Sequence, residues 1–345
     1  MKVFQCGNCQ YPLYFENTKC ANCGHLCGYK SDDRQMLTFN PSSNQLIPDS
    51  EKEEYKFCKN HEHDVCNWVI PIENKNRYCN ACQLNRTIPI LDSAKNFEKW
   101  KNLEIAKHRL IYQLQKIGLS LPSKLKNKEE GLCFDFVARN KNPRLMTGHA
   151  NGVITILISE ANSELREKRR KELFEPYRTL IGHLRHEVGH YFWERLVRPN
   201  KEITTSFRFI FGDERNSYSD SLKAYYAKEQ NNDWEGEFIS RYATAHPWED
   251  WAETWAHYLH IMDMVETAYF FNLKVDLDKK HHTQVNSDPY LVEDFDQIIQ
   301  ISVPLSFAVN SINRAMGHQD VYPFVITPTV VRKLTFIHRL LWNFR

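Results

Sequence analysis

The chain has 345 residues, of which 42% are hydrophobic and 26% charged, and its net charge is only +2. Those values suit a globular protein with length for two or three domains and a well-buried core. They exclude the global positive field of a protein that coats nucleic acid or an anionic membrane.

The start, Met1 to Cys6, has no apolar run with a small-residue cleavage site, and no stretch is apolar for long enough to span a bilayer. The expectation is a cytoplasmic chain with no membrane partner. Nine of the ten cysteines precede residue 83, mostly in knuckle spacings. Metal binding in a reducing compartment explains that distribution better than disulfides do.

Cys6-Gly-Asn-Cys9 and Cys20-Ala-Asn-Cys23 form the first set. Each Cys-x-x-Cys turn lets two thiolates converge on one ion, and four thiolates close a tetrahedral structural zinc site. Tyr11, Leu13 and Phe15 between them alternate as in a strand, and Cys27 is left over. A second set follows, Cys58, Cys66, Cys79 and Cys82, with a looser first half. Four cysteines complete this second structural zinc, and His61 stands in reserve as a replacement ligand. The polar stretch 31–57, with Pro41, Pro48 and the acidic run 49–54, reads as a hairpin or linker between the knuckles rather than a core element. The first 57 residues carry six Lys/Arg against seven Asp/Glu, and residues 58–92 carry four of each. No basic stripe tracks phosphates, so nucleic acid is not the expected partner.

From Ser93 the pattern turns helical. Apolar residues from Phe97 to Ile117 fit one helix, closed by Gly118 and Pro122. Residues 133–137 read as a short strand, 150–152 as a turn, and 153–159 as the best strand of the chain. A solvated charged helix face at 164–172 leads into the most informative stretch, 178–197.

That stretch contains His186-Glu187-Val-Gly-His190. On a helix the two histidines lie four apart on one face, so both imidazoles can reach one metal, and Glu187 can reach a water held there. Leu180, Ile181, Leu184, Val188, Phe192 and Leu196 recur at three- and four-residue steps, as a buried helix requires; Pro176 suits its first turn and Pro199 stops it. Tyr218, Leu222, Tyr225 and Tyr226 suggest a short helix.

Pro247 then opens a helix rich in Trp and Ala on which Glu249, Glu253 and His257 step by four along one face. A catalytic zinc needs two imidazoles, one carboxylate and an open position, together with an outer carboxylate that orients a ligand imidazole. Glu249 and Glu253 can supply one role each. Two more helices, 305–316 and 328–342, close the chain as packing elements, after an exposed His281-His282 pair.

With these segments together, the chain resembles a family of zinc-binding metallopeptidases with an N-terminal zinc-ribbon region. The resemblance covers nearly the whole chain. It rests on the ribbon cysteines, on Cys79-x-x-Cys82-x-Leu-Asn-Arg-Thr-Ile-Pro, on Gly182-His-Leu-Arg-His-Glu-Val-Gly-His-Tyr, and on His246-Pro-Trp-Glu-Asp-Trp-Ala-Glu-Thr-Trp-Ala-His-Tyr-Leu-His. The site looks like that of the gluzincin class, which includes thermolysin and anthrax lethal factor. The resemblance implies Glu249 as third ligand and Glu253 as the outer carboxylate, and it implies Tyr242, seven residues before the ligand, as the group that assists the oxyanion. It also suggests 153–159 as the edge strand that pairs with an extended peptide. One departure is the gap from His190 to Glu249, longer than thermolysin's.

The expected fold is therefore α+β: a mainly helical zincin-like metallopeptidase domain over 93–345, preceded by a small β-rich zinc-ribbon region over 1–92. The expected activity is hydrolysis of a peptide or protein substrate by a zinc-activated water, with Glu187 as general base and three zinc ions, one catalytic and two structural. The rival readings are an adaptor whose metallopeptidase-like domain only binds, and hydrolysis of a non-peptide amide.

Overall fold

The computed structural model describes residues 1–48, 50–91, 93–138, 146–173, 179–227, 234–276 and 282–344. The expectations for Pro176 and Arg178, for Asp49 and for His281 lie outside the described residues.

The first region is built from short strands. β1 (Phe4–Gln5) and β2 (Pro12–Leu13) pair antiparallel. β3 (Leu26–Lys30), β4 (Gln35–Phe39), β5 (Tyr55–Phe57) and β6 (Trp68–Pro71) form a second sheet in the order β4-β3-β6-β5. The stretch 31–57 is thus more than a linker. Met36, Leu37 and Phe39 of β4 are buried, and Leu37, Phe39, Tyr55 and Val69 make a small core of their own. Polar residues concentrate at the turns there, while few but large apolar ones hold the strands. The Tyr11–Phe15 alternation shortens to β2; Leu13 and Phe15 are buried and Tyr11 is exposed.

Next come β7 (Asn85–Thr87), α1 (Ala94–Ile117), β8 (Cys133–Val137), β9 (Gly148–Ala150) and β10 (Val153–Leu157). β7, β8 and β10 are parallel neighbours, and β9 pairs antiparallel on the outside of β10, in the order β7-β8-β10-β9. The β9–β10 turn is tight because Asn151 and Gly152 both take positive φ, 47° and 73°. β10 is therefore an interior strand, and the edge belongs to β9. The strongest apolar run goes to the strand paired on both sides, which corrects the edge-strand expectation for 153–159. The strand also stops at Leu157, and a single tight helical turn follows over Ile158–Ala161.

The remaining elements are α2 (Ser163–Leu173), α3 (Leu180–Phe192), α4 (Lys201–Phe211), α5 (Tyr218–Ala227), α6 (Pro247–Phe270), the hairpin β11 (Lys274–Asp276) and β12 (His282–Gln284), α7 (Phe295–Ala315) and α8 (Pro328–Trp342). Beyond Phe192, α3 widens into a π turn over Trp193–Val197, closed by the Arg198 N–H on Trp193 O, ahead of Pro199. α7 begins ten residues before the expected start at Leu305 and carries Pro304 in its interior. Proline tolerance there needs the helix to absorb one missing N–H.

One continuous core spans both regions. Phe15 and Tyr29 of the first region pack their rings on Tyr112 of α1, with centroids 5.3 and 6.1 Å apart, and Trp68 packs on His108. The architecture is an N-terminal β-rich region followed by a mainly helical one. No helix among the described residues is long and apolar enough to cross a membrane.

Candidate metal centre

The two cysteine sets close as expected. Cys6, Cys9, Cys20 and Cys23 converge, and so do Cys58, Cys66, Cys79 and Cys82. The Sγ–Sγ separations are 3.6 Å for Cys6–Cys23 and for Cys9–Cys20, and 3.7 Å for Cys66–Cys79. Zinc–sulfur bonds of about 2.3 Å in a tetrahedron require edges of about 3.8 Å, whereas a disulfide needs about 2.0 Å. The thiols therefore fit a metal. The two knuckles of the first set repeat one turn. Gln10 and Gly24, each just after the second cysteine, take φ of 60° and 76° and donate their N–H to Cys6 O and Cys20 O. In the second set Cys66 is the ligand-competent residue and His61 is not. His61 stacks on Phe57 at 4.0 Å and its Nδ1 contacts Cys66 O at 2.9 Å, so its ring is turned away from the thiols. Cys27 is buried beside the first set without joining it.

The third donor set forms where α3 crosses α6. Gly189 makes the crossing possible: a side chain there would start 3.1 Å from Ala252 Cα and from the Trp255 ring. Trp251 Nε1 donates to Gly189 O at 2.8 Å across the same contact. Thr179 caps α3 by accepting the Gly182 N–H, and His246 caps α6 by accepting the Trp248 N–H. Because His246 Nδ1 accepts, its proton sits on Nε2, which donates to Asn216 O at 3.1 Å. Behind α6, Lys333 of α8 holds Asp250 at 2.7 Å and Glu237 O at 2.8 Å, which fixes the first turn that carries Glu249. Arg185, next to His186, ties α3 to Asp263 of α6 at 2.7 Å.

His186, His190 and Glu249 meet at this crossing, all buried. The two Nε2 atoms are 3.2 Å apart, and Glu249 Oε2 lies 3.0 Å from that of His186 and 3.5 Å from that of His190. Zinc bonds of about 2.05 Å to such donors demand edges of about 3.3 Å. Glu249 Oε2 is buried with no hydrogen bond of proper geometry, so it faces the two imidazoles as an electron-pair donor awaiting a cation. The donor set fits zinc.

Glu253 takes the other position left open between the two carboxylates. Its Oε1 accepts from His186 Nδ1 at 2.7 Å, which leaves Nε2 as the free lone pair, and its Oε2 accepts from Ser240 at 2.6 Å. Glu187 is buried and contacts His183 Nε2 at 3.3 Å. Burial opposes its ionisation, but the His183 hydrogen bond and the neighbouring imidazoles outweigh that and hold its carboxyl below the usual range. Tyr242 stands with its ring 6.0 Å from that of His186. Burial, then the charge of Glu249, pushes its hydroxyl far above the usual range, so it stays a proton donor.

Three partners escaped the sequence reading. Tyr218 donates to Glu249 Oε1 at 2.5 Å, Ser240 braces Glu253, and His183 braces Glu187. His183 alone had a local signal, one helical turn before Glu187; Tyr218 and Ser240 reach the site only through folding. His149 of β9 lies under His190, ring centroids 6.4 Å apart.

No solved structure matches this chain. Uncharacterized proteins of Mycobacterium bovis and of Mycobacterium tuberculosis strains CDC 1551 and H37Rv are each 35% identical over 338 residues, 98% of this chain and 94% of theirs. A zinc-ribbon domain profile matches residues 3–93. The profile described as "Putative zinc-binding metallo-peptidase" matches residues 96–340, a span that contains the whole α3–α6 crossing, and the chain belongs to that family.

Proposed function

We propose that the protein is a zinc-dependent peptidase of gluzincin type, with Glu187 as its general base. The observation that carries this reading is the convergence of His186, His190 and Glu249 with Glu253 clamped on His186 Nδ1. Zinc, when bound, lowers the pKa of a water towards neutrality and polarises a carbonyl. The chain supplies the rest. His186 and His190 would hold the zinc through Nε2, and Tyr218 holds Glu249 Oε1 so that Oε2 turns to the imidazoles. Glu187, kept ionised by His183, takes the proton of the attacking water and passes it to the leaving amine. Tyr242, kept protonated, donates to the developing oxyanion. The outer edge of β9, which pairs with no further strand among the described residues and whose His149 packs near His190, offers backbone groups to an extended peptide.

The test compares zinc-loaded wild type with Glu187→Gln on a peptide library. Wild type should cleave, a chelator should stop it, and the variant should keep its zinc with a rate lowered roughly 10²–10⁴-fold. Cleavage by the variant at the wild-type rate would remove Glu187 from its role. No cleavage by fully loaded wild type would favour the adaptor reading instead.

A further inference from the structure

A cavity of about 330 Å³ lies at the seam of the two regions, away from the α3–α6 crossing. Its walls come from the tight turn after Cys58, the loop before Cys79, β7, and the turn that follows α1. That volume is at the small end of the range for ligand pockets and suits a compact molecule.

Its chemistry is one-sided. Arg77, Arg86 and Lys126 line it, and no carboxylate does. Arg86 is already paired with Asp135 by two hydrogen bonds. Among the described residues Lys126 has only a neutral contact, Gln83 Oε1 at 3.1 Å. Arg77 has no ion-pair or hydrogen-bond partner for its guanidinium among the described residues. An independent observation points the same way. Asn60 is only 7% exposed and lines the cavity, yet its carboxamide makes no hydrogen bond among the described residues. Its amide atoms are not sealed off from solvent, so a ligand in the cavity can take the hydrogen bonds that water otherwise makes. At the mouth, Tyr78, Ile88 and Leu125 are 39%, 42% and 61% exposed and give the cavity apolar walls.

We propose that this seam cavity binds a small organic anion, bearing a phosphate or carboxylate group on an apolar body. The charged end meets Arg77 and Lys126 and is hydrogen-bonded by Asn60; the apolar body lies on Tyr78, Ile88 and Leu125. Two cations around one anion give charge-assisted bonds, and the fork of Arg77 suits either oxyanion bidentately. Because the lining comes from the zinc-ribbon region and from the turn after α1, occupancy would brace one region against the other. This assignment does not depend on peptidase activity.

The experiment is titration calorimetry of the zinc-loaded full chain with phenyl phosphate and, separately, benzoate. At least one probe should bind at roughly millimolar affinity or tighter. The better probe identifies which oxyanion the site takes. The Arg77→Ala/Lys126→Ala variant should bind at least ~10-fold more weakly while keeping its zinc content. If that variant loses zinc, Arg77→Glu, an exposed single change, serves as the deciding variant and should bind at least ~10-fold more weakly. Failure of both probes to bind would overturn the proposal. So would undiminished affinity in the variant, because the anion would then sit elsewhere, the metal centre included.

Discussion

Glu249 has two oxygens with different duties, and a tyrosine decides between them. Tyr218 occupies Oε1 at 2.5 Å, so only Oε2 is turned toward His186 and His190. Tyr218→Phe removes that restraint without changing the ring. Zinc affinity at this centre should fall about 10-fold, read by chelator competition, while the cysteine sites keep theirs. Unchanged affinity would mean that the hydroxyl does not position the carboxylate. The choice of Glu249 over Glu253 as ligand was open on helical spacing alone, since both share a face. It is geometrically distinct in the fold, because Glu253 is engaged by His186 Nδ1 and Ser240. Ser240 and Tyr218 could not be read from the chain: serines and tyrosines are common, and their contacts span 13 and 31 residues.

Among elements, α6 does the most. Its first turn presents Glu249, its second presents Glu253, and its next turns bury His257 and half-bury His260. His257 contacts the Tyr322 hydroxyl at 3.0 Å, and burial lowers its pKa from 6.5 to about 4. The imidazole is therefore neutral in the native state while the unfolded chain protonates it near pH 6.5. Its contribution is fully present above pH 6.5 and is lost as pH falls from there to about 4, because only the unfolded state gains the proton over that window. Denaturation midpoints should fall across this interval, and His257→Gln should flatten the slope by about one proton. An identical slope in the variant would place the acid sensitivity elsewhere, with His260, also lowered by burial to about 3, as the next residue to replace. α5 differs in kind. None of its residues is buried, and Tyr218, on Glu249, and Tyr225, with its ring 5.7 Å from that of Tyr242, tie it to the centre.

For the whole molecule, the two cysteine sets and the α3–α6 set predict three zinc ions per chain by metal analysis; a further group, Cys82 with Glu104 and His108, adds none because it shares its thiol with the second cysteine set and Lys107 pairs with Glu104. His61→Ala should leave that number unchanged because its Nδ1 is engaged by Cys66 O and the ring lies outside the thiol set. Two ions or fewer would break one of the sets. Stripping metal should unfold the N-terminal region first, since both thiolate clusters lie in it and tie its turns together. Local chemistry was readable along the chain. Cys-x-x-Cys turns, His-Glu-x-x-His, the helix start at Pro247 and the Asn-Gly turn each act within a few residues, so spacing alone announces them. The helices 94–117 and 328–342 and the strand 133–137 follow from the same short-range periodicities. Tertiary structure decided what spacing leaves degenerate: which carboxylate faces the imidazoles, which strand is the edge, that polar 31–57 contains core strands, and that both regions share one core. Those outcomes depend on contacts between residues far apart in the chain, whose energies exist only once the helices and sheets have packed.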